Sequence, residues 1–165
     1  MELYDIITHI KRTTHWTNES RIVGEACEEY VKQTINCIRC NNKLQKYKIN
    51  EKSKDFICIG CNQKYQIKSK SSTDKQVNNI KQSNLFKTIG GEYSTTLNSI
   101  SENIDYLIIL YEKKSYKIKA ILYKKYETID GNCIISRKPL SLTAKRAGWQ
   151  GCNILFNDIH FMFIN

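Results

Sequence analysis

The sequence predicts a mixed α/β fold built as one domain. Three observations carry that expectation: an amphipathic helical stretch at 22–35, two β-rich runs at 106–111 and 116–123, and two cysteine pairs lying between them. A chain of 165 residues has room for one domain of ordinary size and little for a second. Apolar and aromatic residues make up 41% and charged residues 25%, the balance of a globular protein and not of a disordered one. Lys and Arg number 26 against 16 Asp and Glu, a net +10, which points to a polyanionic partner, with nucleic acid first. The longest charge-free apolar runs, 106–111 and 161–164, fall far short of the roughly 20 residues that span a bilayer. Residues 1–5 lack the basic flank and apolar stretch of a signal peptide, so the expected location is a reducing cytoplasm.

Taken in order, Ile22, Val23, Ala26, Cys27, Tyr30, Val31 and Ile35 recur at helical spacing and predict a helix over 22–35. Cys37-x-x-Cys40 and Cys58-x-x-Cys61 follow, enclosing 17 residues (41–57). That spacing lets two short knuckles close a tetrahedral thiolate site on Zn²⁺, and disulfides are disfavoured in a reducing compartment. Residues 36–54 are too polar to bury a core of their own, so an ion would fold them. Four thiolates leave no open position, so this zinc is structural. The ribbon is expected at about 36–64 within a single domain, 1–165.

Residues 55–59 read as a strand entering the second knuckle, and 64–68 as the next strand. There Tyr65 and Ile67 share one face while Gln66 and Lys68 share the other. Residues 71–84, rich in Ser, Asn, Gln, Thr and Lys, read as a loop. A helix is expected after Gly90-Gly91, up to about Glu102. The runs 106–111 and 116–123 form a hairpin through 112–115. Residues 154–164 are expected to be one closing strand, after a segment holding the only proline, Pro139. Lys113, Lys114, Lys124 and Lys125 read as charges at hairpin edges that oppose aggregation. His9, His15 and His160 are not at ligand spacing with any cysteine or acid, and Cys27, Cys133 and Cys152 read as small apolar fillers.

The polar strand face needs a reason. Asp55, Gln66 and Lys68 form Asp-x10-Gln-x-Lys. An acid on one strand and two alternate residues on its hairpin partner converge on one spot. In phosphodiester hydrolysis an Asp and a second oxygen ligand hold Mg²⁺, while a Lys steadies the nucleophile and the developing charge. These residue types are common, and the pattern alone is weak.

A second block strengthens it. Residues 137–154, from Arg137-Lys138-Pro139 through Lys145-Arg146-Ala147-Gly148-Trp149-Gln150-Gly151 to Ile154, closely resemble a block of the DpnI-type restriction endonuclease family. The resemblance extends to 21–25, both cysteine knuckles, Asp55-Phe56 and 68–70, in the same order. It implies a PD-(D/E)XK restriction-endonuclease-like mixed sheet flanked by helices, with the four-cysteine zinc ribbon inserted before and between the catalytic strands. It also implies a methyl-directed enzyme that cuts double-stranded DNA at adenine-methylated GATC sites.

By resemblance, Asp55 is the metal-binding acid and Lys68 the catalytic lysine. Gln66 stands where the family usually has Glu, and the backbone carbonyl of Ile67 joins Asp55 and Gln66 around Mg²⁺. The Gln66 amide brings no negative charge, so metal affinity falls unless another carboxylate compensates, and Glu25 on the first predicted helix is the candidate. Composition alone reads Trp149 as a core ring and the basic residues as a solvated face. The resemblance instead puts Trp149 at the methylated adenines and Arg137, Lys138, Lys145 and Arg146 on DNA.

The family's architecture continues into a winged-helix domain beyond this chain's last predicted strand. Recognition through one domain is expected to be weaker and more salt-sensitive, as a monomer or a transient homodimer on DNA. The alternative is a zinc-ribbon module that binds methylated DNA and has lost catalysis through Gln66.

Overall fold

Two helices lead the chain. α1 (Leu3–Thr13) turns Leu3, Ile6, Ile7 and Ile10 inward, a single apolar stripe. α2 (Glu19–Thr34) is capped by Asn18, whose Oδ1 accepts the Arg21 N–H at 3.1 Å, and buries Ile22, Val23, Ala26, Cys27 and Val31. The computed structural model describes residues 2–47 and 54–164, so residues 48–53, within the expected ribbon, lie outside it. Among the described residues no helix is long and apolar enough to cross a membrane.

Among the described residues the strands that follow are β1 (Leu44–Lys46), β2 (Phe56–Cys58), β3 (Lys64–Ser71), β4 (Phe86–Glu92), β5 (Ile104–Tyr111), β6 (Ile118–Lys124), β7 (Ile134–Ser136), β8 (Gly151–Phe156) and β9 (His160–Ile164). Helices α3 (Asp74–Ser83) and α4 (Tyr93–Asn98) fall on either side of β4. A six-stranded mixed sheet runs β1-β2-β3-β5-β6-β9, with β3 and β5 parallel and its other pairs antiparallel. A second sheet, β4-β8-β7, is antiparallel.

Side-chain alternation along the central strands divides the interior in two. Leu107, Ile109, Ile121 and Tyr123 join Tyr65, Ile67 and the apolar faces of α1 and α2. Tyr106, Ile108, Leu110, Ala120 and Leu122 face Phe86, Ile154 and Phe156 of the smaller sheet, with Val77 of α3. Strand β5 is therefore buried on both sides, which is why its sequence from Tyr106 to Tyr111 is an unbroken apolar run.

The helix expected at 22–35 and the 106–123 hairpin are present, and the helix expected after Gly91 appears as α4 with a 3₁₀ turn at Ser99–Glu102. Three expectations are corrected. Residues 74–83 form helix α3, not part of a loop: Thr73 and Gln76 close a capping box, and Asn84 ends the helix in the left-handed region. Its composition looked loop-like because Val77 is the one residue it buries. Residues 154–164 are not one strand, because the chain turns at Asp158 (φ 51°) and passes from the smaller sheet to the edge of the larger. Lys124 is not an edge charge: it is fully buried, and its ammonium donates to the Asn157 carbonyl at 2.5 Å, holding that turn.

Candidate active site and metal centre

The two cysteine knuckles are built alike. Asn41 follows Cys40 with φ 60° and donates its N–H to the Cys37 carbonyl at 2.8 Å. Asn62 follows Cys61 with φ 58° and donates to the Cys58 carbonyl at 3.0 Å. Asn tolerates this left-handed turn, so each Cys-x-x-Cys-Asn closes on itself. All four sulfurs lie within 4.8 Å of one another, with Cys37 to Cys61 at 3.5 Å and Cys40 to Cys58 at 3.3 Å. Zn–S bonds of about 2.3 Å in a tetrahedron set sulfurs about 3.8 Å apart, so the cluster fits zinc.

Second partners stabilise thiolates. The Gly60 N–H donates to Cys58 Sγ at 3.3 Å, and the Asn42 amide to Cys40 Sγ at 3.4 Å, which pulls the Cys40 thiol down to about 6. The Tyr65 hydroxyl lies 3.1 Å from Cys37 Sγ and accepts the Ile38 N–H at 3.3 Å. Tyr65 belongs to β3, so the metal centre is braced directly against that strand. Cys27, Cys133 and Cys152 are buried and free, as fillers should be.

On the same strand, Tyr65 and Ile67 point to the helical side. Asp55 precedes β2, and its backbone N–H donates to the Tyr65 carbonyl at 2.8 Å. Its Oδ2 accepts the Ile67 N–H at 2.6 Å. The acid is thus fixed at the edge of β3, against the residue between Gln66 and Lys68. Both backbone groups of a strand residue face the same edge, so the Ile67 carbonyl shares that edge with Asp55. A carboxylate, an amide oxygen and a backbone carbonyl are hard donors of the kind Mg²⁺ takes, so this donor set fits the ion, though with one formal charge from Asp55 and none from Gln66.

Burial pushes the Asp55 carboxyl above the usual carboxylate range, against the Ile67 N–H and the Lys68 charge, which act the other way. Burial also pushes the Lys68 ammonium below its ordinary value, opposed by Asp55. Two groups displaced toward neutrality and each favouring the other's charge mark a site that strains against its own burial.

Gln66 and Lys68 line a cavity of about 310 Å³ together with Glu92, Thr95 and Ser99. Glu25 does not line it: its carboxylate meets Lys46 at 2.6 Å, and it borders the groove between α1 and α2. Glu28, one turn further along α2, meets the same Lys46 at 2.8 Å. Its carboxyl is raised by burial, and the Asp55 charge adds to the rise. Lys46 stands opposite Phe56 in the β1–β2 ladder, next to Asp55, so these helix acids are neighbours of Asp55 with a lysine between them.

Lys68 also borders a second, larger cleft of about 590 Å³, lined by Lys70, Lys87, Ser20, Ser71 and Asn153. Lys70 is held by the Lys87 carbonyl at 2.6 Å. The segment 137–150 forms a loop above the smaller sheet, closed by Leu140 N–H to Trp149 carbonyl at 2.9 Å and turned at Gly148 (φ 72°). Arg137, Lys138, Lys145 and Arg146 are exposed on it, and Trp149 is half-buried. The indole lies over Gly151, where a Cβ would come within 2.9 Å of the ring, and the Arg146 guanidinium stacks 4.4 Å from the ring centroid. The bare Gly151 leaves the ring its place.

Of the expected site residues, the structure ties Asp55 to the Ile67 N–H between Gln66 and Lys68, turns those two into one cavity and keeps Glu25 against Lys46. Sequence reading missed Glu28, Lys46, Lys70, Lys87 and Glu92. Lys70 alone had a local signal, since it continues the alternation of Gln66 and Lys68. The others arrive from separate elements.

A family model described as DpnI, the Dam-replacing family, matches residues 4–162, nearly the whole chain, and the chain belongs to that family.

Proposed function

We propose that the protein is a Mg²⁺-dependent endonuclease of the PD-(D/E)XK type that hydrolyses DNA phosphodiesters at adenine-methylated GATC sites. Membership in the family makes a restriction-type, methyl-directed nuclease the expected activity. The observation that carries the reading is the Asp55 carboxylate bonded to the Ile67 N–H at 2.6 Å. That bond ties the acid to the strand on which Gln66 and Lys68 alternate.

Asp55, Gln66 and the Ile67 carbonyl would hold Mg²⁺, which supplies phosphate polarisation and a lowered pKa for bound water. Lys68, desolvated and with its ammonium pushed below its ordinary value by burial, would steady the attacking oxygen and the charge that develops on the phosphate. The cation-lined cleft beside Lys68 supports a DNA strand arriving at that lysine. Arg137, Lys138, Lys145 and Arg146 are read as phosphate or base-edge contacts, and Trp149 as the flat surface that meets the adenine methyl groups. Zn²⁺ on Cys37, Cys40, Cys58 and Cys61 is read as structural.

Gln66 favours one other reading, a module that binds methylated DNA without cutting it. Plasmid digestion separates the two. The purified protein with Mg²⁺ is expected to yield discrete fragments from adenine-methylated plasmid, absent with Asp55→Ala or Lys68→Ala. Retarded but intact methylated plasmid overturns the enzyme in favour of the reader, and fragments from unmethylated plasmid alone overturn the assigned specificity.

A further inference from the structure

Gln66 leaves the proposed Mg²⁺ site short of a charge, and the described residues offer three acids for it. Glu25 and Glu28 belong to α2 and are both engaged by Lys46, at 2.6 and 2.8 Å. They lie on the helical side of the sheet, the side to which Tyr65 and Ile67 turn. Alternation sends Gln66 and Lys68 to the opposite side, where the cavity they line also receives Glu92.

The end of β4 is shaped to deliver that side chain. Gly90 packs so closely on β8 that a Cβ there would sit 2.3 Å from Cys152 Sγ. The β4–β8 register then slips between Ile89 and Glu92, so that Glu92 stands opposite Gly151. An irregularity of this kind at a strand end re-aims a side chain, and it recurs beside active sites. The Glu92 carboxylate is held from two sides, accepting the Ser94 hydroxyl at 3.0 Å and the Thr95 hydroxyl at 2.7 Å. A carboxylate offers about four acceptor positions, and these two bonds orient it. Gly91, just before Glu92, and Ile154 of β8 line the same cavity as Lys68. The strand end and the lysine are therefore neighbours.

We propose that Glu92 supplies the second carboxylate of the metal site, directly or through a water, in place of the one Gln66 lacks. This rests on the metal-dependent nuclease reading. Asp55 from the β2 side and Glu92 from the β4 side then give a divalent cation two negative charges, with the Gln66 amide as a neutral third donor.

Mn²⁺ binding to the zinc-loaded full chain, followed by electron paramagnetic resonance, tests it without reference to cutting. Glu92→Gln is expected to weaken Mn²⁺ binding about tenfold or more. Gln66→Glu added to Glu92→Gln is expected to return affinity to near the wild-type value. Glu92 is exposed, so both variants should melt close to the wild type. Unchanged Mn²⁺ affinity in Glu92→Gln, or in Glu92→Ala, overturns the proposal, as does a failure of Gln66→Glu to compensate. If Asp55→Ala loses Mn²⁺ while Glu92→Gln keeps it, Glu92 alone is excluded and the nuclease site stands. If Asp55→Ala binds Mn²⁺ like the wild type, the nuclease site itself is wrong, and this proposal falls with it.

Discussion

Arg39, inside the first cysteine knuckle, donates Nε and Nη2 to the two oxygens of Asp105 on β5, each at 2.9 Å. Asp105 is fully buried and also accepts the Tyr123 hydroxyl at 2.7 Å and the Tyr126 N–H at 2.9 Å. Arg39 continues outward to a second bidentate pair with Glu127. Arg39→Ala would leave the Asp105 carboxylate buried without its cation, a loss of about 3 kcal/mol in urea unfolding. Glu127→Ala, which removes an exposed partner, should shift the same measurement by less than about 1 kcal/mol.

Zinc removal should reach the proposed active site, because Tyr65 connects the two. Elemental analysis is expected to find one zinc per chain. Chelation, or Cys58→Ser, should release Tyr65 and with it the Asp55 bonds to β3. Loss of methylated-plasmid cutting together with a lowered melting temperature would agree. Full activity at zero zinc would show the ribbon to be independent of the catalytic strand.

Asp55 makes a pH prediction with a definite sign. Its folded pKa is raised above its unfolded one, so its ionised form works against folding. That penalty is complete above the folded pKa and vanishes below the unfolded one. Asp55→Asn should therefore stabilise the metal-free protein at pH 7, by roughly 2–4 °C in melting temperature for each kcal/mol relieved. The advantage should shrink as the pH falls through the raised pKa. An Asn variant that melts lower than wild type at neutral pH would contradict the burial argument.

The cleft beside Lys68 predicts a salt signature. Lys70→Ala and Lys87→Ala should each weaken DNA binding several-fold and reduce the slope of log affinity against log salt by about 1, equally for methylated and unmethylated duplexes. Anisotropy titrations with an Asp55→Ala background keep the DNA intact. Slopes identical to the parent would remove the cleft from the DNA path.

Much of this was legible in the sequence because it was written locally. The cysteine knuckles carry their spacing and their Asn turns within five residues, and the polar face of β3 is a period of two. Helix α1 was equally legible: Leu3, Ile6, Ile7 and Ile10 form an apolar stripe of helical period, but no expectation was drawn from it. Helix α3 was hidden by polarity, since a helix that buries one side chain scarcely differs in composition from a loop. The two-sheet arrangement was hidden for another reason. Nothing near Asp158 says that β8 and β9 pair in different sheets; the turn between them is held by Lys124, 33 residues before Asn157, whose carbonyl it reaches. Lys46, Glu28 and Glu92 were missed because a site assembled from separate segments leaves no spacing to read.

Strand β3 turns its odd side chains to the helices and its even ones to the opposite cavity, while its backbone holds Asp55. Tyr65 holds the thiolate cluster, Ile67 holds Asp55, and Gln66 and Lys68 turn to the opposite cavity. A slip of one position would swap the two sets, burying an ammonium among the helices and lifting a phenol into the cavity that Gln66 and Lys68 now line. The thiolate anchor at Tyr65 thus works as a pawl on the strand, and the proposed site would lose its chemistry through misalignment while every side chain it needs is still present.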